Sequence, residues 1–505
     1  MGEGTLLIRA DADVAMGTGH VMRCLALAQA WRDTGERAVF AMTDPFSSIR
    51  KRLLKEAVGI HGISALAGTE EDARQTVALA REQAAAWVVV DGYQFGADYQ
   101  RVLKSAGFKI LFLDDYGHAG RYCADLVLNQ NLSAEQDLYR NREPYTRLLL
   151  GPQYCLLRRE FNGWWEWRRE VAPSGHRVLV TMGGSDPENF TERAIDALNL
   201  IEDDNLEATI VAGGSNARAD LLERRFAAMG KKIGLCRDIS NMAELMAWAD
   251  VAVSAAGTTC WEICLMGLPA LLIDLAENQI AVVKELDRLG CAIHLGGSRD
   301  VSAANLAKRL NSLLSSKEDR QAMSLRGRCL VDGRGTKRVV AALRGGALRL
   351  RPAQESDGRL LWEWANDSGV RAAAFSSAPI PWEQHVLWFT TKMKDPACRI
   401  LIAEDGRGQP VGQFRMDWRT REDADIDVSL SSDCRGAGYG PVLIDLGVGI
   451  AFAERRAARL HAFVKPENQA SRRSFELAGF GELGEERVNG HIAVHYVRSG
   501  EPDQK

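Results

Sequence analysis

At 505 residues the chain is too long for one hydrophobic core, and two to four domains are expected. Hydrophobic residues at 46% and charged residues at 26% are those of an ordinary globular protein, and a net charge of −4 supplies no basic field for nucleic acid. No basic, then apolar, leader pattern is visible, the apolar run around Leu265–Leu275 is too short for a membrane span, and the ten cysteines form no Cys-x-x-Cys pair. A cytoplasmic protein with buried thiols and no membrane or nucleic-acid partner is predicted.

Residues 1–165 alternate short apolar runs with helical patterns. Leu6–Ile8, Ala38–Ala41, Trp87–Asp91, Ile110–Asp114 and Leu126–Leu128 read as buried strands of a parallel sheet. Gly17-Thr-Gly19-His20 follows the first run and opens a predicted helix, Met22–Arg32. The two glycines let a ligand approach the backbone, and His20 is placed to exchange protons with it near neutral pH. Asp91-Gly-Tyr93 ends another strand of the same domain.

Residues 166–345 repeat the arrangement, with Arg177–Thr181, Glu207–Ala212, Ile233–Leu235, Val251–Ser254 and Ala270–Ile273 as strands. Thr181-Met-Gly183-Gly184 ends the first of them. Ser254-Ala-Ala-Gly257-Thr258-Thr259 ends another and leads into a helix carrying Glu262. Small residues and free amides at a helix start suit a diphosphate, and Glu262 is placed to accept from ribose hydroxyls. Two tandem doubly wound sheets are thus predicted, with a ligand cleft outside the carboxyl ends of their strands.

Near residue 345 the pattern changes. Arg344–Pro352 reads as a linker and a new first strand, followed by helices (Asp357–Asn366, Trp382–Lys392) and antiparallel-looking strands (Ile400–Ala403, Pro410–Trp418, Ala424–Leu430). Residues 346–505 therefore form an α+β domain with room for its own core. Its distinctive stretch is Cys434-Arg435-Gly436-Ala-Gly438-Tyr-Gly440, between a strand and the predicted helix Pro441–Arg455. Consecutive amides there would face a diphosphate, supported by the helix dipole.

On these motifs the first 340 residues resemble the UDP-sugar hydrolases of pseudaminic acid biosynthesis, which have the two-Rossmann architecture called GT-B. The matching residues are Arg9-Ala-Asp11, Gly17–Cys24, Asp91-Gly-Tyr93, Asp114-Asp115, Ala124–Asn131, Leu150–Tyr154, Thr181–Asp186, Ser254–Glu262 and Glu277-Asn278-Gln279. The resemblance implies release of UDP from UDP-2,4-diacetamido-2,4,6-trideoxy-β-L-altropyranose. It implies His20 as base, with Tyr93 and Asn278 positioning sugar and water. Asp11, Gly17, Gly19, Arg23, Gly183, Gly184, Ser254, Gly257, Thr258, Glu262 and Gln279 would contact the sugar nucleotide. No metal is expected, and Asp114-Asp115 is expected to buttress its loop. Rival readings are a glycosyltransferase, a sugar-nucleotide 2-epimerase, and a catalytically silent sugar-nucleotide-binding module.

The third domain resembles GNAT acetyltransferases over residues 347–498, through the Arg435–Gly440 turn and Asn468-x-x-Ser471 with Phe475–Phe480. That resemblance implies acetyl-CoA as co-substrate, held by Arg435, Gly436, Gly438, Gly440 and Asn468. Phe475 stands where many relatives carry a Tyr acid, and Asp425 stands where relatives often carry a Glu base, so acid and base are open. Leu348–Thr391 resembles the sugar-nucleotide N-acetyltransferase of the same pathway, which implies a UDP-4-amino sugar as acceptor. A protein N-terminus is the alternative acceptor.

Overall fold

The computed structural model describes residues 4–499 apart from 13–16, 44–46, 166, 185, 187, 214–231, 238, 240, 346–347, 406–407, 421, 437–438 and 455–458. It divides into two compact units, Met1–Thr336 and Lys337–Lys505.

The first unit holds two parallel sheets. In the first, β1 (Thr5–Ala10), β2 (Ala38–Met42), β3 (Gly59–Gly62), β4 (Ala85–Asp91), β5 (Ile110–Leu113), β6 (Leu126–Asn129) and β7 (Arg147–Leu150) run in the order β3-β2-β1-β4-β5-β6-β7. β1 is central and buried at every residue, which is why its sequence is an apolar run without alternation. Its register with β4 sets Ala10 beside Asp91, so the loops after both strands open at one point. That neighbourhood is the first half of a site.

The second sheet comprises β8 (Arg177–Thr181), β9 (Glu207–Ala212), β10 (Lys232–Arg237), β11 (Val251–Ala255), β12 (Ala270–Asp274) and β13 (Ile293–Gly297), ordered β10-β9-β8-β11-β12-β13. Here Ser254 pairs with Thr181, which brings the Gly183-Gly184 and Gly257-Thr258 turns together. Val180, Ile210, Val253 and Leu271 are among the side chains of one core, and Leu179, Trp261, Leu272 and Val283 among those of another.

The second unit has β14 (Arg349–Pro352), β15 (Cys398–Glu404), β16 (Pro410–Trp418), β17 (Asp423–Leu430), β18 (Arg459–Val464), β19 (Gly481–Val488) and β20 (His491–Ser499), ordered β14-β15-β16-β17-β18-β20-β19. All neighbours are antiparallel except β17 and β18, which pair in parallel from Asp423–Arg459 to Asp425–His461. Phe414, Met416, Leu443, Leu460 and Tyr496 fill its core.

Differences from expectation are local. The first helix starts at Gly19 rather than Met22, which draws His20 into its first turn. β5 stops at Leu113, and Asp114 turns back to accept the amides of Tyr116 and Gly117. β3, β7, β13 and the β19–β20 hairpin were not predicted. β3 (Gly-Ile-His-Gly) is a half-exposed edge strand, and β19 carries charge on a largely exposed edge, so neither shows an apolar run.

Candidate active site

A cleft of about 1070 Å³ lies between the carboxyl ends of the two sheets of the first unit. Gly17, Gly19, His20, Arg23, Tyr93, Asp115 and Asn131 line it from the first sheet. Gly183, Gly184, Gly257, Thr258, Glu262, Asn278 and Gln279 line it from the second. Gly17 adopts φ 74° and Gly183 φ 78°, conformations that favour glycine. A side chain at Gly184 would strike Thr18, so the two walls meet closely at that point.

His20 is the chemical centre. Its Nδ1 lies 2.6 Å from Asp91 Oδ1 on the C-terminal residue of β4. A carboxylate only accepts, so Nδ1 carries the hydrogen and the lone pair is left on Nε2. Arg23, one turn along the helix, grips both oxygens of Asp91 at 2.7 Å through Nε and Nη2. Burial pushes the Asp91 carboxyl up, but Arg23 and then His20 outweigh it and hold it well below the usual carboxylate range. Burial likewise opposes charge on Arg23, and Asp115 and Asp91 more than offset that. Asp91 is therefore an anion with no exposed surface, fixed by Arg23 and paired with His20 Nδ1.

A second branch of the network reaches across the cleft. Arg23 Nη1 donates to Asp115 Oδ1 at 2.7 Å, and Tyr93 Oη donates to Asp115 Oδ2 at 2.8 Å. Asn131 Nδ2 donates to Asp115 Oδ1 at 3.0 Å. Asn278, on the opposite wall, donates from Nδ2 to Tyr93 Oη at 2.7 Å. Burial, then the Asp115 charge, push the Tyr93 phenol far up, so it stays protonated. Its ring stands edge-on to His20 with centroids 4.9 Å apart. His20, Tyr93 and Asn278 are thus brought to one place in the cleft.

Other expected site residues do different work. Asp11 is absent from the cleft lining; its carboxylate accepts from the Thr43 amide at 2.8 Å and pairs with Arg9 at 2.7 Å. Ser254 is buried within β11 and donates to the Ala255 carbonyl, so the residues reaching the cleft are Ala255–Thr259. Arg23 lines the cleft but spends its donors on Asp91 and Asp115. Glu262 lines the cleft while its Oε1 accepts from Arg158 Nε and Nη2 at 3.0 and 2.8 Å. Burial raises the Glu262 carboxyl, with Arg158 opposing. Gln279 Oε1 accepts from the Leu275 amide at 2.9 Å. The sequence reading assigned no role to Asp91, although its signal was present: an aspartate ending an apolar strand. Lys51, Arg52 and Lys55 also line the cleft and were missed, because their helix, Ser47–Lys55, reads as a solvated basic face.

In the second unit Arg435 donates from Nε to the Leu430 carbonyl at 3.1 Å and pairs with Asp367 at 2.5 Å, so its guanidinium fastens the turn. Gly436 has φ 70°; Gly440 packs against Ser474, where a side chain would crowd at 2.8 Å; Gly438 lies outside the described residues. Asn468 caps the helix Gln469–Leu477 by accepting the Ser471 amide at 3.1 Å. Asp425 is held by Arg419 through contacts of 2.8 and 2.7 Å. Phe475 is buried against Phe480 and Tyr496.

Residues 177–329 match the model of the glycosyltransferase family 28 C-terminal domain, and residues 347–481 that of the acetyltransferase (GNAT) domain. The chain carries both domains. It is similar to an uncharacterised protein of Methanocaldococcus jannaschii, 22% identical over 438 residues, covering 84% of this chain and 86% of that one. It is also similar to the UDP-2,4-diacetamido-2,4,6-trideoxy-beta-L-altropyranose hydrolase of Campylobacter jejuni, 24% identical over 287 residues, covering 56% of this chain and 97% of that one. A third relative, from Pseudomonas syringae pv. tomato, is the UDP-N-acetylglucosamine--N-acetylmuramyl-(pentapeptide) pyrophosphoryl-undecaprenol N-acetylglucosamine transferase, 30% identical over 178 residues, covering 34% of this chain and 49% of that one. With a hydrolase among its relatives and an acetyltransferase domain in its second unit, the chain is an enzyme. Among the described residues no helix is long and apolar enough to cross a membrane.

Proposed function

We propose that the chain is a bifunctional cytoplasmic enzyme of pseudaminic acid biosynthesis. The second unit transfers acetyl from acetyl-CoA to the 4-amino group of a UDP-4-amino sugar. The first unit then hydrolyses UDP-2,4-diacetamido-2,4,6-trideoxy-β-L-altropyranose to UDP and the free sugar. The Asp91–His20 pair at the cleft carries this reading, because a histidine with its Nδ1–H tied to a buried anion is built as a base through Nε2.

The residues divide the work as follows. His20 Nε2 takes a proton from water as the water oxygen bonds to the anomeric carbon. The bond from that carbon to the phosphate oxygen breaks, and UDP leaves with the electron pair. Asp91 steadies the imidazolium; Tyr93 and Asn278, locked together at 2.7 Å, position sugar and water. Gly183, Gly184, Gly257 and Thr258 receive the diphosphate and Glu262 the ribose. UDP is a good leaving group, so no strong acid is needed there.

The test is UDP release from the diacetamido nucleotide with no sugar acceptor or lipid present. The expected result is stoichiometric UDP and free sugar, abolished in His20→Ala while UDP still binds by calorimetry. UDP release that requires an added acceptor would favour a glycosyltransferase. UDP binding without turnover would favour a silent module.

A further inference from the structure

The cleft of the first unit is wide, yet its histidine is nearly closed off. His20 lines a cavity of about 1070 Å³, but only 8% of its side chain is exposed. Three close approaches of the cleft walls surround it. A side chain at Gly184 would strike Thr18, two residues before His20. One at Gly19 would lie 3.8 Å from Thr258 Oγ1. The third approach is Tyr93, whose ring stands edge-on to the imidazole with centroids 4.9 Å apart. Asn278, on the helix Glu277–Arg288 of the opposite wall, holds the Tyr93 hydroxyl at 2.7 Å.

Tyr93 is held from both walls. Its hydroxyl donates to Asp115 Oδ2 at 2.8 Å while accepting from Asn278 Nδ2. Asp115 is itself gripped by Arg23 at 2.7 Å and Asn131 at 3.0 Å. Tyr116 and His118 pack against the ring, with centroids 5.2 and 5.5 Å away. Swinging the ring off His20 would take a hydrogen bond from the buried Asp115 carboxylate, which makes the ring a fixed wall. Asn278 is exposed, and among the described residues its side chain bonds to Tyr93 alone. It therefore acts as a strap from the second sheet to the ring that covers the base.

Size decides what such an arrangement admits. An oxygen nucleophile that gives its proton to His20 has to fit between the imidazole, the Tyr93 ring and the sugar. Water fits the smallest opening. Methanol adds one methylene, and a closely fitting pocket discriminates one methylene by about 10–200-fold. A sugar or lipid hydroxyl adds far more. Specificity of this kind comes from an obstruction to the wrong partner, with no added contact to the right one.

We propose that the Tyr93–Asn278 bridge restricts the nucleophile to water and keeps the first unit a hydrolase instead of a transferase. This rests on the reading that the first unit hydrolyses a UDP-sugar. With the bridge intact, the water oxygen bonds to the anomeric carbon and its proton passes to His20. The bond from that carbon to the phosphate oxygen breaks, and UDP leaves with the electron pair. With the bridge cut, an alcohol follows the same course. Its oxygen bonds to the anomeric carbon, its proton passes to His20, and the products are the alkyl glycoside and UDP.

The experiment measures how the sugar partitions. The full chain is incubated with the diacetamido nucleotide in a methanol–water mixture, and methyl glycoside and free sugar are counted by mass spectrometry. Their ratio does not depend on how fast a variant turns over. In the wild type the methyl glycoside share should lie about tenfold or more below the mole fraction of methanol. Asn278→Ala and Tyr93→Ala should raise that share about tenfold. Asp91→Asn weakens the base and leaves the bridge whole, so it should keep the wild-type share. If Tyr93→Ala fails to fold, Asn278→Ala decides, because its change is at an exposed position. A wild type that forms methyl glycoside in proportion to methanol overturns the proposal while the hydrolase reading stands. A wild-type share in Asn278→Ala, or an equal rise in Asp91→Asn, overturns it too. Folded Asn278→Ala that releases no UDP would give Asn278 a chemical role and likewise overturn it. A wild type that releases no UDP from this nucleotide removes the hydrolase reading and the proposal together.

Discussion

Asp91→Asn isolates what the buried carboxylate does for His20. Asp91 serves four donors: His20 Nδ1 at 2.6 Å, Arg23 Nε and Nη2 at 2.7 Å, and Cys24 Sγ at 3.3 Å. An asparagine offers one oxygen and one NH2 group, and both orientations set a donor against a donor. With nitrogen in the Oδ2 place it meets Arg23 Nε. With nitrogen in the Oδ1 place it meets Arg23 Nη2 and forces His20 Nδ1 to accept, which moves the hydrogen to Nε2 and removes the base. Both orientations remove the charge that steadies the imidazolium. The expected loss in kcat lies between about 10², the low end for general-base catalysis, and about 10⁴, the cost of an inverted tautomer. That is about 2.7–5.4 kcal/mol of transition-state stabilisation. Breaking a buried ion pair costs about 3–5 kcal/mol of stability; Arg23 keeps Asp115, so the low end applies. The assay is UDP release from the diacetamido nucleotide, with melting and UDP calorimetry as controls. A folded, UDP-binding variant within tenfold of wild type would refute the roles given to Asp91 and His20.

Three further outcomes follow from the same contacts. Tyr93→Phe removes the hydroxyl joining Asp115 to Asn278 and leaves both without that partner, at about 1–3 kcal/mol; kcat/KM for the sugar nucleotide should fall at least tenfold while calorimetric UDP affinity holds within about twofold. The Asp91 carboxyl is more acidic folded than unfolded, so its stabilising contribution is complete above the unfolded value near 4 and is lost as pH falls toward its depressed folded value; acid melts of the wild type should lose stability faster below about pH 4 than those of Asp91→Asn. Phe475→Tyr places a hydroxyl in the core beside Phe480 and should cost about 1–3 kcal/mol in melting without raising CoA release; a faster release would show that this position reaches the thiolate.

Much of the fold was legible because both parallel sheets are buried on two faces. Runs such as Leu6–Ile8 and Ala270–Ile273 therefore stand out without any alternation to decode. The strands that escaped notice are short, edge-placed or charged, as in Gly59–Gly62 and Gly481–Val488, where pairing rather than composition makes the strand. In the site, His20, Tyr93 and Asn278 were legible from their motifs. The hydrogen bonds joining them were not, because Tyr93 and Asn278 are 185 residues apart and meet only through the packing of two sheets.

The central claim is that one chain acetylates a UDP-4-amino sugar and then frees the product from UDP. The most direct measurement is a mass-spectrometric time course of the purified protein with UDP-4-amino-4,6-dideoxy-β-L-AltNAc, with and without acetyl-CoA. The account predicts free diacetamido sugar and UDP only when acetyl-CoA is present, with the acetylated nucleotide appearing first. Folded protein that consumes neither this nucleotide nor its acetylated form would contradict it.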